Sequence, residues 1–327
     1  MRKKFFVLGL SCFITIGTVD ATTTSSSCLS STTQKLADAK NLIGRWDLTI
    51  DENGKSLPSW LEVKLSGTRT LVGYFVGTSG SARPVAKVNF NNGNFNFTIP
   101  PQWESGDRDF VIEGALSESG IQGTITTSEG QTYHWKGVKA PDLKRAEIPT
   151  WGKPIQLFNS RDLTGWKATG NNQWEVKNGV LTSTHSGANL YSEQTFTDFK
   201  LHVEFKYQKN SNSGVYLRGR YEVQIEDSPN EAHPSSVLFS GIYGFLPPSE
   251  IAALGPDRWQ TYDITLVGRM VTVVVNGRTV INNQEIPGIT GGAIDSNEDE
   301  PGPIYFQGDH GPIEFRNIVI IPVVNTK

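Results

Sequence analysis

The sequence predicts an all-β protein in two domains, and three observations predict it. The 327 residues hold 8 Trp, 9 Tyr and 16 Phe but only 2 Met, with 33 Gly and 17 Pro. That is the composition of a turn-rich, aromatic β-protein. Short apolar runs recur about every ten residues, each bounded by Gly, Asn, Asp or Pro, which is strand rhythm. No segment keeps a helical apolar period beyond about two turns. At roughly 100–200 residues per domain, the length suggests two. Hydrophobic residues are 37% and charged residues 19%, enough for cores and too little charge for disorder. With 30 basic residues against 33 acidic and no basic stretch, nothing is present to neutralise a phosphate backbone, which argues against nucleic-acid binding.

Residues 1–21 read as a secretory signal peptide. Arg2, Lys3 and Lys4 are the positive start, Phe5 to about Thr18 is an apolar stretch too short to span a bilayer, and Ala21 ends it on a small residue. No later apolar run reaches the length of a membrane span. The expected location is periplasmic or secreted. The competing reading is a lipid-anchored start at Cys12, which follows Gly9-Leu10-Ser11. The other cysteine, Cys28, is alone after cleavage, so the mature chain has no internal disulfide. Residues 22–40, rich in Ser and Thr, read as a flexible tether.

Residues 41–140 carry eight runs: Arg45–Ile50, Trp60–Leu65, Thr70–Val76, Val85–Phe90, Phe95–Ile99, Phe110–Leu116, Gly120–Thr126 and Thr132–Val138. Eight short strands at even spacing predict a small antiparallel barrel or sandwich. Its four tryptophans, Trp46, Trp60, Trp103 and Trp135, are expected in the core; a sugar-stacking role is the alternative. Residues 141–154, with three Pro, read as a linker. The second domain runs over 155–327. In it Phe199–Tyr207 alternates apolar and polar residues throughout, as a half-buried strand does. Asn276-Gly277 is a hairpin signal, because both residues accept the positive φ of a type I′ turn. The long Gly/Pro-rich segments 238–255, which contains Tyr243, and 288–302 are expected to rim a site.

The densest polar constellation runs from Asn212 to Asp227. From Tyr221 onward, Tyr221, Val223 and Ile225 share one face, and Glu222, Gln224 and Glu226 share the other. Periodicity alone also fits a solvated outer face laced with ion pairs. Gly219 marks a turn. If the turn has two residues, Arg218 pairs with Tyr221; the sequence leaves open whether Arg218 shares the Glu222 face. A second constellation, Tyr305 to Ile318, places His310 between Asp309 and Gly311, where the neighbouring carboxylate can orient a general base. No His or Cys pair has zinc spacing. Asp295, Asn297, Glu298, Asp299 and Glu300 form an acidic cluster that could hold calcium, although such clusters are more commonly solvated loops. There is no phosphate loop, dinucleotide fingerprint or Gly-x-Ser-x-Gly elbow. No cofactor and no metal are therefore expected.

The second domain resembles the 3-keto-disaccharide hydrolase family. The resemblance is carried by Leu157-Phe-Asn-Ser-Arg-Asp-Leu-Thr-Gly-Trp166, Trp174-Glu-Val-Lys-Asn-Gly-Val-Leu181, Asp198-Phe-Lys-Leu-His-Val-Glu-Phe205, Asn212-Ser-Gly-Val-Tyr-Leu-Arg218, Tyr221-Glu-Val-Gln-Ile-Glu-Asp227 and Gly308-Asp-His-Gly-Pro-Ile-Glu-Phe-Arg-Asn-Ile318. It covers about 155–322 and leaves the first domain aside. The resemblance implies a concanavalin A-like jelly-roll sandwich with a concave sugar face. It implies cleavage of disaccharides or glucosides oxidised at C3, and it points to Arg218, Glu222, Gln224, Asp227, Gln307 and His310. The expected catalytic set is Glu222, Asp227, His310 and Arg218, with Glu222 or His310 as base, Asp227 as acid and Arg218 on the developing oxyanion. Gln224, Gln307, Asn212 and Tyr243 are the expected substrate-binding residues, for an oligosaccharide or glycoside partner.

Two other readings compete: an ordinary glycosidase and a sugar-binding protein without activity. On a regular strand the Cα atoms of Glu222 and Glu226 are about 13 Å apart at ~3.3 Å per residue. That suits neither a retaining nor an inverting carboxylate pair.

Overall fold

The computed structural model describes residues 39–228 and 230–325. The signal peptide, Cys12, Cys28 and nearly all of the tether lie outside the described residues. The named elements are all strands, and no described helix is long and apolar enough to cross a membrane.

The first unit is a barrel of eight consecutive strands: β1 (Gly44–Glu52), β2 (Lys55–Ser66), β3 (Thr70–Val76), β4 (Arg83–Asn91), β5 (Asn94–Ile99), β6 (Phe110–Ser117), β7 (Gly120–Thr126) and β8 (Thr132–Lys139). Each pairs with the next, and β1 closes on β8 with Ile50 opposite Trp135. Closure removes free sheet edges, which is how a meander of short strands becomes self-sufficient. Period-two alternation fills the interior. On β5, Phe95, Phe97 and Ile99 are buried and the residues between them exposed. The Asn53-Gly54 and Asn92-Gly93 turns both hold positive φ at each residue, the geometry that matches strand twist in a tight hairpin.

The second unit comprises β9 (Ile155–Gln156), β10 (Trp166–Ala168), β11 (Trp174–Lys177), β12 (Val180–Ser183), β13 (Leu190–Phe196), β14 (Phe199–Tyr207), β15 (Asn212–Leu217), β16 (Tyr221–Glu226), β17 (Gln260–Val267), β18 (Met270–Val275), β19 (Arg278–Glu285), β20 (Gly302–Phe306) and β21 (Ile313–Pro322). One sheet has the order β10-β13-β20-β15-β16. The other has the order β11-β12-β21-β14-β17-β18-β19, with β9 on β21. The two sheets make the expected sandwich. Its core takes Phe199, Leu201, Val203, Phe205 and Tyr207 from β14, as the alternation predicts, and Val215, Leu217, Tyr221, Val223 and Ile225 from the facing sheet. The Asn276-Gly277 hairpin joins β18 to β19.

Barrel and sandwich meet over a packed interface. Trp60 points outward from β2 and is fully buried against Phe245, with ring centroids 5.2 Å apart. A Cβ at Gly288 would lie 2.1 Å from the Trp60 indole, so only glycine admits that ring. Segment 141–154 lies against the sandwich. Arg145 pairs with buried Asp198 at 2.6 Å, and Trp151 bridges Val323.

A buried polar network crosses the same interface. Arg269 pairs with Glu298, which also accepts the Tyr221 hydroxyl at 2.9 Å. Asp47 of β1 faces this pair. Burial, and then the charge of Glu298, push the Asp47 carboxyl far above the usual carboxylate range, so it sits there neutral. In the acidic 295–300 loop, Asp295 is held bidentately by Arg220 and Glu298 by Arg269, so both carboxylates already have cationic partners.

Candidate active site

The site is built on the β15–β16 hairpin. The connecting loop has three residues, Arg218 to Arg220, with Arg218 and Gly219 both at positive φ. The register therefore sets Tyr216 opposite Glu222, Gly214 opposite Gln224 and Asn212 opposite Glu226. Side chains on one face of this pair line a cavity of about 480 Å³ together with Tyr243, Tyr305, Gln307, Asp309 and His310. All of β16 through Ile225 is buried, so the Glu222 face is not a solvated exterior. The long 238–255 loop covers the free edge of β16: Gln224 N–H donates to the Gly241 carbonyl, and Tyr243 N–H to the Glu222 carbonyl, both at 3.0 Å. That backbone pairing brings Tyr243 to the cavity.

Glu222 is the central group. Its carboxylate lies over Gly214, where a Cβ would come within 2.3 Å of Oε1. Burial pushes its pKa up to about 8, while the Tyr216 hydroxyl and the charge of His310 pull the other way. At neutral pH the carboxyl is therefore mostly protonated. The hydrogen-bond geometry accommodates that proton. The Tyr216 hydroxyl is 2.9 Å from Glu222 Oε2 and 2.9 Å from the Gly291 carbonyl. With one proton of its own, Tyr216 donates to the Gly291 carbonyl and accepts the Glu222 O–H when Glu222 is neutral, and it donates to Glu222 when that carboxylate is charged. Tyr216 stacks on Tyr305 with centroids 4.1 Å apart, which fixes the hydroxyl in place.

His310 occupies the half-exposed rim. Its Nδ1 is 2.6 Å from Asp309 Oδ1. That hydrogen bond holds its pKa above the ordinary value, against a lowering by partial burial. With Nδ1–H donated to the carboxylate, Nε2 carries the lone pair. Glu222 and His310 feel each other's charge, so the cavity couples a carboxyl that retains its proton to a histidine made more basic by Asp309. Two amides complete it. Gln224 and Gln307 are buried, and the Oε1 of each has no hydrogen-bond partner among the described residues. Buried acceptors without partners are costly, and ligand hydroxyls are donors of the right type.

Of the eight sequence-derived residues, Glu222, His310, Gln224, Gln307, Asn212 and Tyr243 come together here. Arg218 does not. The three-residue loop turns it to the Tyr221 side of the hairpin, where it is fully buried, donates to the Tyr221 hydroxyl at 2.9 Å and the Gly268 carbonyl at 3.0 Å, and stacks on the Tyr221 ring. It is a structural cation and cannot reach an oxyanion in this cavity. Asp227 follows the last residue of β16 and accepts the Asn210 backbone N–H at 2.8 Å. It does not line the cavity. Sequence reasoning missed Tyr216, although it shares the period-two face of Asn212 and Gly214. It also missed the wall supplied by the barrel, Ser79, Gly80 and Trp103. Trp103 is the exception to the expected tryptophan core: it is 70% exposed, whereas Trp46, Trp60 and Trp135 are buried. A larger hollow of about 690 Å³ lies on the barrel's outer wall by Thr49, Asp51 and His134. Asp51 and His134 are exposed there.

Compared with known proteins, residues 153–321 match the family described as the 3-keto-alpha-glucoside-1,2-lyase-like domain. No curated protein matches the chain. Among solved structures, a protein from Parabacteroides distasonis assigned to the glycosyl hydrolases is 28% identical, covering 55% of this chain and 93% of its own, with a TM-score of 0.45. A second such protein from that organism is 24% identical over 52% of this chain and 98% of its own, with a TM-score of 0.43. A Bacillus licheniformis beta-glucanase is 14% identical over 54% and 99%, with a TM-score of 0.35.

Proposed function

The chain belongs to the 3-keto-alpha-glucoside-1,2-lyase-like family, and from that membership and the chemistry of the cavity we propose that it cleaves the glycosidic bond of 3-keto-glucosides or 3-keto-disaccharides by elimination and hydration. The observation that carries the reading is Glu222, a buried carboxyl pushed up to about 8 in one cavity with a carboxylate-oriented histidine. A proton donor and a carboxylate-oriented imidazole in one cavity are the pair that acid–base elimination requires.

A ketone at C3 acidifies the hydrogen on C2. His310 Nε2 takes that proton, and the C2–H electrons form the C2–C3 enolate. The enolate then expels the aglycone oxygen from C1, leaving a C1–C2 double bond conjugated to the restored C3 ketone. Glu222 gives its proton to the departing oxygen. In the second half, the Glu222 carboxylate takes a proton from water as the water oxygen bonds to C1, and His310, whose proton exchanges with solvent at the exposed rim, protonates C2. The balance is hydrolysis, and both groups end as they began. Gln224 and Gln307 bind sugar hydroxyls, and Tyr216 holds Glu222 in place. Closeness of these groups to a bound ring supplies the orientation that makes weak acids and bases effective.

The test is substrate competence. The protein is expected to release free sugar from 3-keto-trehalose or methyl 3-keto-glucoside at least 10²-fold faster than from trehalose or methyl glucoside. Equal cleavage of the unoxidised sugars overturns the reading in favour of an ordinary glycosidase. The signal-like residues 1–21 support a reaction in the periplasm or outside the cell. An exported chain starting near Thr22 by intact mass fits cleavage, and one starting at a lipid-modified Cys12 fits anchoring.

A further inference from the structure

We infer that the barrel supplies the leaving-group subsite of the sandwich's cavity, with the indole face of Trp103 as the platform for a second sugar ring. This rests on the proposed reaction and names the aglycone it takes, a hexose.

Trp103 lies outside the part of the chain that matches the family, yet it lines the same cavity as Glu222 and His310. A 70% exposed indole in a protein that buries its other barrel tryptophans is an apolar surface left uncovered. It is also held rigidly. Glu104 Oε2 accepts the backbone N–H groups of Gln102 at 2.7 Å and of Trp103 at 3.1 Å. The Gln102 side chain donates to Ser81 Oγ at 2.8 Å and accepts the Ser81 N–H at 3.1 Å. The two barrel loops are thus strapped together.

The strapped pair is then seated on the sandwich through glycines. A Cβ at Gly291 would lie 2.1 Å from the Gly80 carbonyl oxygen, and one at Gly244 2.5 Å from the Ala82 nitrogen. Two sandwich positions without side chains let the barrel backbone approach at van der Waals range. A platform that loses little freedom on binding delivers more of its contact energy as affinity.

The position selects the aglycone. Trp103 and Tyr243 line the same cavity, and Tyr243 is paired through its backbone to Glu222. Trp103 and Tyr243 therefore form the wall beside the residue that protonates the departing oxygen, while Asp309 and His310 belong to the β20–β21 loop. A ring held by the His310 loop places C2 at the base, and the group beyond the glycosidic oxygen meets the indole. A pyranose presents an apolar face of C–H bonds to stack there, with hydroxyls at its edge for the Tyr243 hydroxyl.

The experiment compares full-length protein with Trp103→Ala and Trp103→Phe. The substrates are 3-keto-trehalose, methyl 3-keto-glucoside, which has no second ring, and a phenyl 3-keto-glucoside. Trp103→Ala is expected to lower the ratio of kcat/KM for the disaccharide over the methyl glycoside by about 5–10-fold, chiefly through KM, with most of the ratio restored in Trp103→Phe. An unchanged ratio overturns the subsite while leaving the reaction standing. A ratio that falls for the phenyl glycoside alone overturns the sugar as occupant. Calorimetric binding of the same ligands in Glu222→Gln, with and without Trp103→Ala, gives the answer without turnover. If nothing is cleaved by the parent protein but disaccharide binding weakens by the same factor, the reaction fails and the subsite holds. No binding of any ligand overturns both.

Discussion

Replacing Glu222 by Gln separates catalysis from stability in opposite directions. The carboxyl is held at about 8 against an ordinary 4.5 because burial, at 3% exposure, disfavours the charge. The folded state thus binds the proton more tightly than the unfolded chain. Below pH 4.5 both states are protonated and the group costs nothing. As pH rises to 8 the unfolded chain gives up the proton and the folded protein keeps it, so stability falls by about 1.4 kcal/mol per pH unit. Above 8 the loss is complete, at about 5 kcal/mol as an upper bound. Glutamine is isosteric and never charged, so the variant is spared that fall. Glu222→Gln is expected to match the parent protein near pH 4.5 and to exceed it by several kcal/mol at pH 8, read by urea denaturation at both pH values. Turnover of a 3-keto-glucoside is expected to fall 10²–10⁴-fold, the worth of a positioned acid. A stability difference independent of pH refutes the buried proton. Retention of more than about a tenth of the rate refutes the role of the acid.

Three further outcomes follow from the same geometry. The kcat/KM profile is expected to be bell-shaped, rising as the His310–Asp309 pair loses its proton and falling as Glu222 ionises near pH 8; an activity that keeps climbing above pH 9 contradicts the acid. Gly214→Ala places a Cβ 2.3 Å from Glu222 Oε1, so it is expected to displace the carboxylate and cost about 10²-fold in kcat, and unaltered kinetics show that the cradle is not needed. Arg269→Met leaves Glu298 buried without its cation beside neutral Asp47 and is expected to cost about 3–5 kcal/mol; a loss below about 1 kcal/mol in chemical denaturation shows the network to be dispensable.

The barrel was almost wholly legible in the sequence because its determinants are local. Thr70–Val76 and Gly120–Thr126 are read to the residue, and the other six runs fall within the observed strands. Period-two alternation also separated Glu222 and Gln224 from the core residues Tyr221 and Val223. What failed was register. The three-residue loop pairs Leu217 with Tyr221 and leaves Arg218 in the turn, where its positive φ directs the side chain to the Tyr221 hydroxyl, and nothing in Arg-Gly-Arg distinguishes the two loop lengths. Trp103 failed for another reason. Its exposure depends on contacts between residues 79–103 and residues 243–292, which no periodicity within either segment encodes. Likewise the acidity of Glu222 comes from burial by distant strands, so residue type showed a candidate and only the fold gave its protonation state.

The proposed reaction turns on departure of the C2 proton. A 3-keto-disaccharide hydrolysed in D₂O, with the product quenched at once and analysed by NMR, tests that step most directly. The elimination route predicts deuterium at C2 of the released 3-keto-glucose, beyond the exchange shown by free 3-keto-glucose incubated with the protein for the same time. Hydrolysis with no deuterium above that control means that the C1–O bond breaks without C2 opening, and it would contradict the assignment of His310 as base.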